Sequence, residues 1–263
     1  MSALFLSSSF SDLFSDSDPF DTLWAMEGEV HRDVKGRVTK QFTHQGQSYF
    51  VKLHSGVGWL EIIKNLLQLR LPILGARNEW QAVARLQELG IDTMTVVAYG
   101  EDGWNPARRR SFVVTEDLSN TRSLEDVCAD WPRQGVGFSS KKALIEKLAK
   151  ISRVLHQDGI CHRDYYICHF LMDQSPEENQ KVSLIDLHRA LIKDNLSERW
   201  IIKDVSGLYF SAMDIGLTRR DLFRFMKVYS GQELRQCLKT DITFWRAVDK
   251  RARAMYKKLS GRA

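Results

Sequence analysis

"CHRDYYICHF", residues 161–170, gathers Cys161, His162, Asp164, Cys168 and His169 into one short stretch, and three chemistries compete for it. Structural zinc asks for cysteines about two to four residues apart, with a second such pair elsewhere. Cys161 and Cys168 are farther apart than that, and the remaining cysteines, Cys128 and Cys237, form no second pair. A reactive thiol needs surroundings that stabilise a thiolate, yet both thiols have apolar neighbours, and a free Cys most often behaves as a small buried hydrophobe. The third reading is a carboxylate, Asp164, held against the hydroxyl of a substrate to receive its proton.

The surroundings of this stretch favour the carboxylate. Upstream, "SSKKALIEKLAKISRVLHQDG" (139–159) places Leu144, Leu148, Ile151 and Leu155 on one helical face. Downstream, "HFLM" (169–172) and "VSLID" (182–186) read as short strands joined by the polar turn "DQSPEENQK" (173–181), and the chain beyond "LIDLHRA" (184–190) is mostly helix-like. The first half differs in character. "GEVHRDV" (28–34), "GRVTKQFTH" (36–44) and "QSYFVKLH" (47–54) are punctuated by Gly36 and by the "HQGQ" turn, as in an antiparallel meander. "NEWQAVARLQELG" (78–90) is one helix, with Gly90 at its expected C-terminal cap. "TMTVVAYG" (93–100) and "RRSFVVTEDL" (109–118) add two further strands around the loop "EDGWNPAR".

A helix, then "HRD", then a hairpin is the order of a protein-kinase catalytic loop, in which the Asp receives or orients the hydroxyl proton. Asp164 takes that place. Asp186 leaves the second hairpin strand where a kinase carboxylate reaches Mg²⁺, an ion that prefers such oxygen ligands. Lys52, in "YFVKL" (49–53), matches the strand lysine that pairs nucleotide phosphates, and Glu79 opens the helix of 78–90 where its ion-pair partner is expected. The crossing segment "TEDL" (115–118) offers Glu116 and Leu118 as nucleotide contacts. Each feature alone is common; the ordered set predicts an α+β, bilobal protein-kinase-like fold. Its segments are a loosely held N-terminal arm (1–27), a strand-rich N-lobe (28–118) and a helical C-lobe (119–263), with a ligand cleft between the lobes. Two departures from protein kinases stand out. Gly36 is alone in the expected Gly-rich loop, which leaves phosphate clamping to lean on Lys35 and Arg37. His169 occupies the place of the Asn that holds a second metal ion, and imidazole is a poor ligand for a hard cation.

Composition is compatible with this reading. The chain has 263 residues, 43% hydrophobic and 27% charged, long enough for two lobes. No uninterrupted apolar stretch reaches the roughly 20 residues of a membrane-spanning helix, and the opening residues lack the early Lys or Arg of a signal peptide. Four cysteines in such a chain are expected to be reduced, in the cytoplasm. A net charge of +5 favours anionic partners. "RRR" (108–110) reads as a solvated face, whereas the tail sets Phe244, Val248, Ala252, Met255 and Leu259 on one side and Arg246, Lys250, Arg253 and Lys257 outside it. That helix is either core or interfacial.

Taken together, "HRDYYICHF", "LIDLHRA", "VKLHSGVGW", "LPILGARNEWQA", "TMTVVAYGE" and "LYFSAMDIGLTRRD" resemble the lipopolysaccharide core heptose(I) kinases, the WaaP or RfaP family, from about residue 28 to about residue 230. His169 and the "DLH" at 186–188 belong to that family's pattern. The resemblance implies ATP- and Mg²⁺-dependent phosphorylation of the first heptose of the lipopolysaccharide inner core, peripheral to the inner membrane on its cytoplasmic side. Asp164 is then the catalytic residue, Asp186 the metal carboxylate and Lys52 the nucleotide lysine. It also makes an acyl carrier protein partner conceivable, beside the lipid A-core acceptor and an anionic membrane surface. The short span from Asp186 to Asp204 leaves no room for a long activation segment, which favours a glycan or small-molecule acceptor over a peptide. Alternatives are a kinase for another sugar or small alcohol and a non-catalytic scaffold; the latter has no need of Lys52, Asp164 and Asp186 together. Nucleic-acid binding is not expected, since no stacking platform or recognition motif accompanies the basic tail.

Overall fold

Alternation of apolar and polar residues along 37–54 decides the first sheet, because successive side chains on a strand point to opposite faces. Phe42, Tyr49, Val51 and Leu53 are buried while Gln41, Thr43, Ser48, Phe50 and Lys52 between and beside them are not. The computed structural model describes residues 3–14, 17–34, 36–67, 74–175 and 180–261. The chain divides into two compact units, one of Met1–Gln87, Thr93–Ser119 and Asp186–Arg189, the other of Glu88–Asp92, Asn120–Ile185 and Ala190–Ala263.

The first unit holds a six-stranded antiparallel sheet in the order β1-β5-β6-β4-β3-β2. Its strands are β1 (Ala3–Leu6), β2 (Glu29–Val34), β3 (Arg37–His44), β4 (Gln47–His54), β5 (Val96–Asp102) and β6 (Arg110–Glu116). The helices α1 (Ser8–Ser11), α2 (Pro19–Ala25), α3 (Gly58–Leu67) and α4 (Arg77–Glu88) connect or cover these strands. Trp80, Val83 and Leu86 of α4 are buried, and Trp80 stacks on Tyr99 with ring centroids 4.6 Å apart.

The N-terminal segment is not the loosely held arm that its acidic and serine-rich sequence suggests. β1 pairs with β5 from Ala3↔Glu101 to Leu6↔Ala98, and the Ser7 N–H continues the contact to the Val97 carbonyl at 2.8 Å. Phe10 and Leu23 are fully buried in the sheet's core, with Phe10 edge-on to Tyr49 at 4.8 Å. Lys40 fastens the end of α2 by donating to the carbonyls of Trp24 and Met26. The basic run 108–110 is likewise only partly solvated: Arg110 bonds Asp21 and lies over the ring of Phe20, and Arg109 pairs with Glu101.

The second unit is mainly helical, with α5 (Leu124–Cys128), α6 (Trp131–Gln134), α7 (Phe138–Gln157), α8 (Glu198–Ser211), α9 (Arg219–Ser230), α10 (Leu234–Thr240) and α11 (Ile242–Ser260). A three-stranded sheet joins β7 (Thr121–Ser123), β9 (Phe170–Asp173) and β10 (Val182–Leu184), and a two-stranded one joins β8 (Ile160–Cys161) to β11 (Leu191–Ile192). The expected hairpin is β9–β10; part of its turn, 176–179, lies outside the described residues. On α7, Leu148, Ile151 and Leu155 are buried, as the helical period predicts, and Ile145 is buried in place of the expected Leu144, which is half-buried. On α11 most of the apolar face is spent on the core: Val248 and Ala252 are buried, as is Trp245, and Phe244 packs on Tyr229, whereas Leu259 near the end of the helix is 59% exposed. An apolar cavity of about 380 Å³ lies among Leu148 of α7, Leu208 of α8, Met226 of α9 and Val248 of α11.

Candidate active site

On β4, Val51 and Leu53 face the core, so the alternation of the strand turns Lys52 to the other face. There its ammonium meets the Glu79 carboxylate from the first turn of α4, with Nζ to Oε1 at 2.5 Å. Glu79 is fully buried, and its Oε2 has no hydrogen-bond partner in the structure. A buried carboxylate held by one cation is a fixed pointer for that cation, since moving Lys52 away strands the charge. Lys52 Nζ also lies 3.5 Å from Oδ1 of Asp186. The Asp186 carboxylate is steadied by the ring of His188, whose Nδ1 donates to the same oxygen at 2.6 Å. Asp186 sits at φ 59°, a left-handed conformation that Asp tolerates better than most residues and that is found where structure over-determines a site.

Arg37, at the start of β3, completes this cluster. Burial lowers the pKa of its guanidinium, while the charges of Glu79 and Asp186 raise it, and its buried Nε has no hydrogen-bond partner. His54, its register partner on β4, is held neutral: burial and the neighbouring Arg37, His188 and Lys52 push its pKa down to about 3. The single turn glycine, Gly36, adopts φ 81° and packs backbone to backbone, since a Cβ there would fall 2.7 Å from the Gly56 carbonyl oxygen. Lys35 lies outside the described residues. Glu116 closes β6, with its N–H donated to the Thr95 carbonyl, and Leu118 comes two residues later in the same unit.

In the second unit, the loop carrying Asp164 is held from both sides. The carboxylate of Asp204, on α8, accepts the N–H groups of His162 at 2.6 Å and Arg163 at 2.8 Å. His162 Nε2 donates to the Ile185 carbonyl at 2.8 Å, which leaves Nδ1 as acceptor for the Asp164 N–H at 3.3 Å. A carbonyl only accepts, so this pair of bonds fixes the neutral tautomer. His169 Nδ1 donates to the Asp164 carbonyl at 2.7 Å, and its ring stacks on that of His162 with centroids 5.6 Å apart. Arg163 takes φ 73°, strained for a residue with a side chain, and Lys203 caps its carbonyl.

The thiol reading of this stretch finds no support. Burial pushes the Cys161 thiol well above its usual range, the Cys128 thiol is pushed up to about 12, and all four cysteines are free. Among the described residues no group of three or more His, Cys, Asp or Glu gathers as a metal cage.

The structure therefore brings Lys52, Glu79 and Asp186 together in one unit and Asp164 and His169 together in the other. Sequence reasoning does not single out Asp204, His188 or His54 as site residues. A faint signal exists for Asp204, an acidic residue inside the apolar run "WIIKDVSGLYF" (200–210).

A family model described as "Lipopolysaccharide kinase (Kdo/WaaP) family" matches residues 21–229. The lipopolysaccharide core heptose(I) kinase WaaP of Escherichia coli is similar to this chain, 49% identical over 235 residues that cover 88% of this chain and 89% of the relative. The protein of the same name from Pseudomonas aeruginosa is 45% identical over 258 residues, covering 97% of this chain and 96% of the relative. A solved structure, "WaaP in complex with acyl carrier protein", matches with a TM-score of 0.85 at 41% identity, over 97% of this chain and 99% of that one.

Proposed function

The chain belongs to the lipopolysaccharide kinase (Kdo/WaaP) family, and we propose that it transfers the terminal phosphoryl group of ATP to the first heptose of the lipopolysaccharide inner core. The observation that carries this reading is the similarity to heptose(I) kinases along nearly the whole chain. The α+β, protein-kinase-like fold agrees with it.

The residues fit a metal-bound nucleotide. Asp186 presents oxygen ligands on a side chain 30% exposed, and a hard cation held by one or two carboxylates draws its other ligands from phosphate and water. Mg²⁺ bound there would neutralise phosphate charge. Lys52, aimed by Glu79, would hold phosphate oxygens, and Arg37 would add a second cation where the Gly-rich loop is thin. Glu116 and Leu118 would contact the base. Asp164 would receive the proton of the attacking heptose hydroxyl. His169 props this loop through its Nδ1 hydrogen on the Asp164 carbonyl, and its imidazole is a poor ligand for a hard cation such as Mg²⁺. Such a site works by positioning and charge rather than covalent chemistry.

Lys52→Ala and Asp186→Ala are expected to fail differently. The first raises the Michaelis constant for ATP and lowers turnover; the second loses the response of turnover to added Mg²⁺. Titrating MgATP against each variant separates them, and unchanged nucleotide affinity and turnover in both would remove these residues from the site.

No helix among the described residues is long and apolar enough to cross a membrane, and the proposed reaction belongs at the cytoplasmic face of the inner membrane, where ATP meets the lipid A-core acceptor. An acyl carrier protein partner is also part of this reading, because the apolar cavity among α7, α8, α9 and α11 has the chemistry to take an acyl chain. Leu208→Arg should then abolish co-purification with acylated carrier; retention of the complex would count against the cavity. The function itself is tested by incubating the protein with MgATP and heptose-containing lipopolysaccharide that lacks core phosphate. Mass spectrometry should find one phosphate added on the inner heptose, and its absence would overturn the assignment.

A further inference from the structure

We infer that α3 and the loop at 103–109 form a surface that docks on an anionic lipid bilayer. This rests on the lipid-linked acceptor proposed above. On α3, Trp59 (56%), Leu60 (87%), Ile63 (49%), Leu66 (53%) and Leu67 (81%) are exposed, while Ile62 is buried. At about 100° per residue these five side chains fall within an arc of about 120°, with Glu61 and Lys64 outside it. Isolated exposed hydrophobes are ordinary; a contiguous apolar helix face is the mark of an interaction surface.

The loop at 103–109 belongs to the same surface because backbone contacts lock it to the start of α3. The Gly58 N–H donates to the Ala107 carbonyl at 3.0 Å. Gly56, at φ 89°, lies so close that a Cβ there would be 2.6 Å from the same oxygen. The loop presents Trp104, 87% exposed, and Arg108, also exposed. Arg109 and Arg110 are engaged with Glu101, Asp102, Asp18 and Asp21. Among the described residues no carboxylate lies within ion-pair distance of Arg108.

Two observations favour lipid over a protein partner. Trp59 belongs to this apolar face and Trp104 is exposed on the loop bonded to the start of α3, and tryptophan concentrates at the headgroup level of bilayers. Arg108 adds positive charge on the loop joined to that face, as beside helices that lie in an anionic interface, whereas Lys64 is paired with Glu61 at 3.7 Å. The tail helix α11 is unsuited to insertion, since Trp245, Val248 and Ala252 are committed to the core.

The test uses full-length protein and phosphatidylglycerol-containing vesicles free of lipopolysaccharide. Wild type should float with these vesicles. The triple variant Leu60→Ser, Ile63→Ser, Leu67→Ser should partition at least about tenfold less, and Arg108→Gln about fivefold less at low salt only. The replaced side chains are exposed, so thermal midpoints should match, and sedimentation should show unchanged mass. The Michaelis constant for acceptor in vesicles should rise in the triple variant, whereas that for deacylated, water-soluble acceptor should not. Equal flotation of wild type and triple variant, or a triple variant whose mass falls to half, overturns the inference; the second outcome would assign the face to another copy of the chain. Flotation reads docking without turnover, and turnover of the deacylated acceptor reads the kinase assignment without docking. Failure of one is thereby distinguishable from failure of the other.

Discussion

Asp164→Asn should bind MgATP as wild type does and lose about 10²- to 10⁴-fold in the rate of phosphoryl transfer, the usual contribution of a general base. The substitution is informative because of how the loop is built. Its position depends on backbone bonds, from the Asp164 N–H to His162 Nδ1 and from His169 Nδ1 to the Asp164 carbonyl. An amide of the same shape leaves those bonds in place while removing the anion that takes the hydroxyl proton. Single-turnover rates at saturating ATP measure the effect without interference from product release. A rate within about threefold of wild type would take Asp164 out of the mechanism.

The residues that can be read from sequence are those whose partners are local or whose order along the chain is itself a signal. Lys52 follows from strand alternation, Glu79 from a helix start, and Asp164 and Asp186 from the helix, loop and hairpin around them. The succession of a strand-rich half and a helical half follows from period alone. The N-terminal segment escapes such reading because its elements are short. β1 has four residues and α1 has four, too few for any period to emerge, and their order comes from burial of Phe10 and Leu23 against strands later in the chain. Tertiary context overrides local propensity there. The alternatives for α11, core or interface, differ only in the surface its apolar face meets, which a sequence does not contain. His54 and Arg37 belong together because β3 and β4 pair in a register that sets one opposite the other. Neither residue type suggests this by itself.

Asp204 is the clearest case of a site residue hidden from sequence, and it carries the second large expectation. Its carboxylate is fully buried and accepts two backbone N–H groups of the loop that carries Asp164. Burial alone would raise its pKa. The imidazole of His156, 3.6 Å from the carboxylate, outweighs that, so it stays below the ordinary carboxylate range. Asp204→Ala strands two buried donors, each costing about 1–3 kcal/mol, for a total of about 2–6 kcal/mol, a range that includes the cost of deleting one side of a buried charged interaction. It also frees Arg163 from its strained φ of 73°, and turnover should fall with the loss of that geometry. Asp204→Asn keeps one acceptor oxygen and should lie between Ala and wild type on both measures. A depressed folded pKa means that the carboxylate's contribution is fully present above its unfolded value of about 3.9 and is lost as pH falls through the folded value. The stability gap between wild type and Asp204→Asn, measured by urea unfolding, should therefore be constant near neutrality and close only below about pH 4. If Asp204→Ala unfolds at the wild-type urea midpoint and retains turnover, the catalytic loop is anchored elsewhere.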